Sequence, residues 1–229
     1  MTTSEHQERY ETMLKDALNA RLAVMNRRSL LRAGAVAGGA ALAFGTVRPA
    51  FGQGSGTSMS EDAPFGGPID VLNYALTLEH LEAAFYRDGL AAIGQNGITA
   101  LGFQAGVFDY LSEIGAHEAA HVATLSDVIT QLGGTPVQEG TYDFGYADAA
   151  GFIQVAQALE DTGLDAYTGA AQYLIENDEL LTAALTIHGI EGRHASYLAI
   201  LNAQVPYPEA FEAPLAPSEV LDIAGQFIQ

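Results

Sequence analysis

The chain has 229 residues, which is enough for one ordinary domain with extensions, and 48% of them are hydrophobic, so a buried core can form. It contains no cysteine, which excludes disulfides and thiolate metal ligands and leaves histidine and carboxylate as the ligands a metal could have. Residues 53–229 hold 24 acidic residues against two basic ones, a net charge of −22. Nucleic-acid phosphates and anionic membranes would repel this segment, so nucleic-acid binding is excluded, and we interpret the acidity as solubility or salt tolerance rather than cation gathering.

Residues 1–52 are predicted to be a signal region with an N-terminal extension. Residues 26–32 read Asn-Arg-Arg-Ser-Leu-Leu-Arg, and a weakly apolar, Ala/Gly-rich run follows at 33–45, too short and Gly-rich to span a membrane. This pattern resembles a twin-arginine export signal, with residues 50–52 as a cleavage site. The resemblance implies that the translocase exports the folded protein to the periplasm or another extracytoplasmic space. An uncleaved amphipathic anchor is the alternative, and Met25 is an alternative start.

The spacing of apolar residues predicts four helices after a Gly/Ser/Pro-rich linker at 53–68. The helices are expected over residues 69–93, 99–132, 148–176 and 178–202, with Gly, Asn or Pro at their ends. The loop around Gly140 and Gly145 would cross back over the bundle. The predicted fold class is therefore all-α: an antiparallel four-helix bundle over residues 69–203 with a crossover connection, followed by a Pro-rich tail at 204–229 that packs on it.

Each predicted helix carries a glutamate on its apolar stripe, where a leucine is expected. These residues are Glu79, Glu118, Glu160 and Glu191. Burying even one ionised carboxylate costs several kcal/mol. Arg87 and Arg193 are the only basic residues in 53–229, too few to neutralise four acids. Two divalent metal ions would balance the four charges, and protonated, mutually hydrogen-bonded carboxyls are the alternative.

The stripe residues also repeat as two similar helix pairs. The first and third helices carry a Glu seven residues before a Tyr, and the second and fourth carry Glu-x-x-His, which places Glu and His on one face. We therefore predict two metal ions held by Glu79, Glu118, His121, Glu160, Glu191 and His194. Tyr86 and Tyr167 are predicted to hydrogen-bond ligand carboxylates from outside the ligand set.

This arrangement resembles the ferritin-like superfamily, which includes ferritins, rubrerythrins and manganese catalases. Residues 72–86, Leu-Asn-Tyr-Ala-Leu-Thr-Leu-Glu-His-Leu-Glu-Ala-Ala-Phe-Tyr, and the tail residues 208–215 resemble the branch that contains desiccation-related proteins. The resemblance covers residues 69–229. It implies a ferritin-like bundle and the ligand set above, but no settled activity.

A thiol-free site rich in carboxylates suits Fe or Mn. The first functional hypothesis is an exported oxidoreductase of stress protection, with ferroxidase-, peroxidase- or catalase-like chemistry on small oxidants. The second is a non-catalytic metal-binding protein that protects the cell envelope against drying. A monomer and a homodimer both agree with the sequence.

Several neighbouring residues have competing interpretations. Glu82 is the rival of Glu79 as ligand on the first helix, and Glu79 is preferred because it repeats the spacing to a tyrosine. Residues 117–121 read His-Glu-Ala-Ala-His, a zinc-protease signature, with Glu139 as the nearest third ligand. That interpretation leaves the other glutamates unexplained. His80, His117 and His188 are expected to be half-exposed outside the ligand set, with His117 at its edge, and Glu113 to be solvated.

Overall fold

The computed structural model describes residues 64–229, and this part of the chain is all-α. Its helices are α1 (Pro68–Ala100), α2 (Val107–Gln131), α3 (Ala149–Ala170), α4 (Asp178–Leu201) and α5 (Pro217–Ala224), with a 3-10 turn at Ala171–Leu174. No strand occurs within residues 64–229, where Tyr142 and Ile228 form an isolated antiparallel bridge. The predicted all-α class is confirmed. The export motif, its cleavage site and Met25 lie outside the described residues.

Glycines with positive φ values interrupt the helices, and some helix ends therefore differ from the predicted ones. Gly94 has φ 67 and ψ 169, which are not helical, so α1 kinks where the sequence predicted the first helix to end. A second helical segment continues from the kink to Ala100. The second helix begins at Val107 rather than Thr99, because Gly102 and Gly106 take positive φ values of 79 and 95. Side-chain caps fix other ends: Asp148 accepts a hydrogen bond from the Gly151 amide at 2.8 Å at the start of α3.

The bundle consists of two helix pairs, α1 with α2 and α3 with α4, which meet mainly through α1 and α3. The side of the bundle between α2 and α4 has the least direct helix contact. Above the centre of the core, the Phe85 and Phe152 rings stack with centroids 4.5 Å apart, and Phe144 packs edge-on against Phe85.

The connection between α2 and α3 runs along the outside of α1. Asn73 accepts a hydrogen bond from the Val137 amide at 2.8 Å, a ring nitrogen of His80 lies 3.1 Å from the Val137 carbonyl oxygen, and Arg87 pairs with Glu139 at 3.0 Å. Residues 73 and 87 are 14 residues apart on α1, about 21 Å at about 1.5 Å per residue. The connection therefore returns the chain along the bundle before α3 begins, as a crossover.

The C-terminal tail packs on α3 and on the crossover. The Leu215 amide donates to the Asp165 carbonyl oxygen, and the Leu215 carbonyl lies so close to Gly169 that a Cβ there would overlap it. The Asp143 amide donates to the Phe227 carbonyl oxygen at 2.8 Å. Among the described helices, none is both long enough and apolar enough to cross a membrane.

Candidate metal centre

Four glutamates, one from each long helix, meet at mid-height in the bundle interior. Glu79, Glu118, Glu160 and Glu191 are each 0% exposed. His194 on α4 is 5% exposed, and His121 on α2 is partly buried. The helical stripes predicted this convergence, because positions three and four apart lie on one face.

The Nδ1 atom of His121 faces three carboxylate oxygens. It lies 3.0 Å from Oε2 of Glu79, 3.0 Å from Oε2 of Glu118 and 3.3 Å from Oε1 of Glu191. A single ring N–H has one hydrogen to donate, so it cannot satisfy all three oxygens. These four residues form the first of two groups, within which ligand atoms lie within 4.8 Å of one another.

The second group is built in the same way around His194. Its Nδ1 lies 3.0 Å from Oε1 of Glu118 and 3.0 Å from Oε2 of Glu160, and Glu191 completes the group. Glu118 thus presents Oε2 to His121 and Oε1 to His194, so its carboxylate spans both groups. Glu191 is also common to both.

The donor set fits two metal ions. Oε1 of Glu118 and both oxygens of Glu191 are buried without a hydrogen-bond partner within the described chain. Within each group one ligand atom of every residue lies within 4.8 Å of the others, so a single cation could be held by the whole group. Histidine and carboxylate without thiolate are ligands suited to Fe and Mn. Two ions at these positions would satisfy the orphaned oxygens.

Without a cation, the carboxyls can coexist only by distributing protons unequally. Burial raises the pKa of Glu79 to about 7, and burial with the charge of Glu160 raises the pKa of Glu191 well above its usual value. Burial also opposes the charge of Glu118, but the adjacent imidazoles of His121 and His194 favour the charged form, outweigh the burial and lower the pKa of Glu118 to about 2. Contacts with Glu118 and Glu79 overcome the burial of His121 and raise its pKa to about 10.

Two buried tyrosines link the helix pairs at this level. The Tyr86 hydroxyl on α1 donates to Oε1 of Glu160 on α3 at 2.6 Å, and the Tyr167 hydroxyl on α3 donates to Oε1 of Glu79 on α1 at 2.5 Å. Each tyrosine therefore bonds the glutamate of the other helix, not the one seven residues before it. The Glu–Tyr spacing that repeats in the sequence therefore produces two hydrogen bonds between α1 and α3 rather than one within each helix.

His117 lies at the edge of the group, as predicted, and contacts it directly. Its Nδ1 is 3.0 Å from Nε2 of His194, and the two rings stack with centroids 5.2 Å apart. His117 can therefore orient the imidazole of His194. Of the other polar residues considered, Glu113 has a side chain 73% exposed, and His80 and His188 are partly buried outside both groups.

The zinc-protease arrangement is not assembled. Glu139 pairs with Arg87 on the crossover, and neither Glu139 nor His117 belongs to a potential ligand group among the described residues. His121 instead turns its Nδ1 toward the glutamates of other helices. The His-Glu-x-x-His spacing at 117–121 arises because His117 and His121 are four residues apart on one face of α2, and both lie next to the site for other reasons.

Glu82 is a fifth interior acid, outside both ligand groups. It is 3% exposed, and burial with the charge of Glu160 raises its pKa well above the usual value. A Cβ at Gly163 would lie 2.9 Å from Oε1 of Glu82 and 3.4 Å from Oε2 of Glu191, so the absence of a side chain there makes room for both acids. The sequence singled out Glu82 only as the rival of Glu79, whereas the structure buries both.

These features define an all-α bundle with a carboxylate- and histidine-lined interior. The pattern of the ferritin-like domain family matches residues 67–204, and the chain belongs to that family. A ferritin-like, diiron-carboxylate protein from Bacillus anthracis has 20% sequence identity and a TM-score of 0.50, with coverage of 58% of this chain and 93% of its own. A conserved hypothetical protein from Mycobacterium tuberculosis has 19% identity, a TM-score of 0.48, and coverage of 62% of this chain and 94% of its own. No curated protein matches the chain.

Proposed function

We propose that this chain binds a pair of Fe or Mn ions through Glu79, Glu118, His121, Glu160, Glu191 and His194. We further propose that it is an oxidoreductase that acts with dioxygen, peroxide or ferrous iron. The observation that carries the proposal is the position of Glu118, whose two oxygens face two different histidines at 3.0 Å each. The diiron-carboxylate description of the Bacillus anthracis protein, which shares the fold, supports it.

The chain's own residues would prepare the site before any reaction. A bound pair of ions supplies one-electron redox steps between the +2 and +3 states. Tyr86 and Tyr167 hold Glu160 and Glu79 in place by hydrogen bonds to one oxygen of each, which leaves the other oxygen turned to a histidine. Complete burial of the carboxylates excludes bulk water and strengthens their interaction with cations.

Elemental analysis of the protein from its native compartment tests the metal pair. The expected result is two Fe or Mn ions per chain, and loss of at least one ion in Glu118→Gln. Glu113→Gln is the matched control, because that acid lies on the same helix with a side chain 73% exposed. One zinc ion per chain, or equal metal content in both variants, would contradict the proposal.

A turnover assay separates the catalytic role from a structural one. The structural alternative is favoured by the burial of five acids, since cations that offset them would stabilise the bundle in a protein that protects the envelope under drying. The metal-loaded protein should consume peroxide, or oxidise ferrous iron with dioxygen, faster than the same metal content free in solution. A metal-dependent rise in melting temperature without turnover would favour the structural role.

We also propose that the protein is exported folded by the twin-arginine route. The supporting observation is the arginine pair at 27–28, followed by the weakly apolar run at 33–45. Cell fractionation should find the wild-type protein in the extracytoplasmic fraction and the variant with Arg27→Lys and Arg28→Lys retained in the cytoplasm. Arg21→Lys, upstream of the motif, should export normally; unchanged export of the paired variant would refute the route.

A further inference from the structure

An apolar cavity lies beside the candidate metal centre. It has a volume of about 80 Å³ and is walled by residues of α1, α2, α3, α4 and the 3-10 turn. The residues that define it are Leu72, Ala75, Leu125, Tyr167, Leu174 and Ile187. Protein interiors are close-packed, so a cavity of this size within a small bundle is an exception.

The register of the helices places this cavity in the layer next to the ligands. Every long helix contributes a cavity residue one or two turns from its glutamate or histidine. The pairs are Ala75 with Glu79, Leu125 with His121, Tyr167 with Glu160, and Ile187 with Glu191. Residues four apart lie on the same helix face, one turn away from each other. The cavity and the candidate centre are therefore consecutive layers of one interior.

Tyr167 is common to both layers. Its ring lines the cavity, and its hydroxyl donates the hydrogen bond to Glu79. The Tyr167 side chain therefore connects the cavity with the carboxylate of Glu79.

The cavity reaches solvent on the open side of the bundle. Thr124 on α2, with Ala183 and Thr186 on α4, line it and are exposed. They lie where α2 and α4 have little direct contact. An uncharged molecule could enter between these helices without displacing the crossover or the tail.

We propose that this cavity is a binding site for a compact apolar molecule that reacts at, or is delivered to, the neighbouring centre. Apolar cavities stay dry, and one of roughly 150 Å³ binds benzene or xenon, so a smaller one suits xenon, dioxygen or a small hydrocarbon. The delivery role rests on the proposed function, whereas the binding does not. Dioxygen and a small organic substrate share the apolar character that the lining selects.

Xenon binding to the full-length chain tests the site directly. Titration followed by ¹²⁹Xe NMR should show one saturable site in the metal-free protein. Ala184→Leu, which extends a side chain into the cavity from α4, should weaken binding at least tenfold. Ala158→Leu on the exposed face of α3 is the matched control and should bind as the wild type does. Absence of saturable binding by the wild type, or an unaffected Ala184→Leu, would overturn the proposal.

Enlarging the cavity gives a second measurement that does not depend on the filling variant. Leu125→Ala removes part of the wall, and benzene should then displace xenon at least tenfold more effectively than in the wild type. If benzene binds both proteins equally, the cavity is not the site that takes up apolar molecules.

Kinetics of the metal-loaded protein distinguish the two sources of the ligand. If the cavity delivers dioxygen, Ala184→Leu should raise the KM for dioxygen several-fold at unchanged metal content. If it holds an organic substrate, that KM should stay constant, and cyclohexane should alter dioxygen consumption in the wild type but not in the variant. If the KM for dioxygen and the effect of cyclohexane are both the same in the variant as in the wild type, the delivery role is overturned. A protein that binds xenon but consumes no dioxygen or peroxide would refute the proposed oxidoreductase function and leave the binding site intact.

Discussion

Replacing Glu191 by glutamine should stabilise the metal-free protein and abolish its response to metal. Glu191 is fully buried, and neither of its oxygens has a hydrogen-bond partner within the described chain. Glutamine keeps the shape and removes the ionisable group. The sign of the effect should therefore differ between the metal-free and the metal-loaded protein.

The size of the effect follows from the burial of the carboxyl. Burial and the charge of Glu160 raise the pKa of Glu191 from 4.5 to well above it, so its carboxyl destabilises the folded state as pH rises past 4.5. Leaving a buried polar group unsatisfied costs about 1–3 kcal/mol, and more when the group is charged, so removing the charge can recover a cost of this order. Glu191→Gln should therefore gain up to about 3 kcal/mol, a rise of roughly 6–12 °C in the melting temperature of a domain of this size.

The assay is thermal unfolding of wild type and variant, each with chelator and with saturating Fe²⁺ or Mn²⁺ under anaerobic conditions. Metal should raise the melting temperature of the wild type and leave that of the variant unchanged, because the variant lacks a carboxylate common to both ligand groups. Glu113→Gln should behave as the wild type in both conditions. A variant that is less stable than the wild type when metal-free, or that still responds to metal, would refute the compensation of buried acids by cations.

Three further predictions address the surroundings of the site. Tyr167→Phe removes the donor to Glu79 and should lower metal affinity about 10-fold to 100-fold with little loss of helicity, as measured by metal titration and circular dichroism; unchanged affinity would dismiss the tyrosine as packing alone. Gly169→Ala places a Cβ against the Leu215 carbonyl and should destabilise the protein by about 1–3 kcal/mol in urea unfolding, although alanine favours helix; a stabilised variant would show that the tail yields easily. The pKa of His121 is raised from 6.5 to about 10, so its protonation stabilises the metal-free protein fully below pH 6.5, and this stability is lost as pH rises toward 10. The free energy of unfolding of the protein in chelator, measured by denaturation, should therefore decline between pH 6.5 and 10. A constant free energy of unfolding across that range would contradict the prediction.

The interior acids could be located from the sequence because helical periodicity fixes which residues share a face. Glu118 and His121 are three residues apart, and so are Glu191 and His194, which is why each pair points the same way. Residues 53–229 contain only Arg87 and Arg193 as basic partners, too few for the interior acids, and the structure pairs Arg87 at the surface with Asp88 and Glu139. The convergence of four helices followed from the need to bury four stripes together.

Other features depend on how the helices are placed against each other, which periodicity does not encode. The burial of Glu82 beside Gly163 and the contact of His117 with His194 are consequences of interhelical distance. The break of α1 at Gly94 was located correctly, but the helical segment that follows it as far as Ala100 was not predicted, since glycine and asparagine at 94–97 suggested a loop. The short helix α5 was not anticipated either, because four prolines within residues 205–229 suggested an irregular strap.

The hydrogen bonds of Tyr86 to Glu160 and of Tyr167 to Glu79 align the two helix pairs with each other. A slip of α3 along α1 by one residue, a displacement of about 1.5 Å and a rotation of about 100°, would strand both hydroxyls and both carboxylates in apolar surroundings. The two tyrosine–glutamate hydrogen bonds therefore favour one register of α3 against α1. A fragment that carries only α1 and α2, or only α3 and α4, would lack these hydrogen bonds. The two fragments should recover a defined packing only when they are brought together.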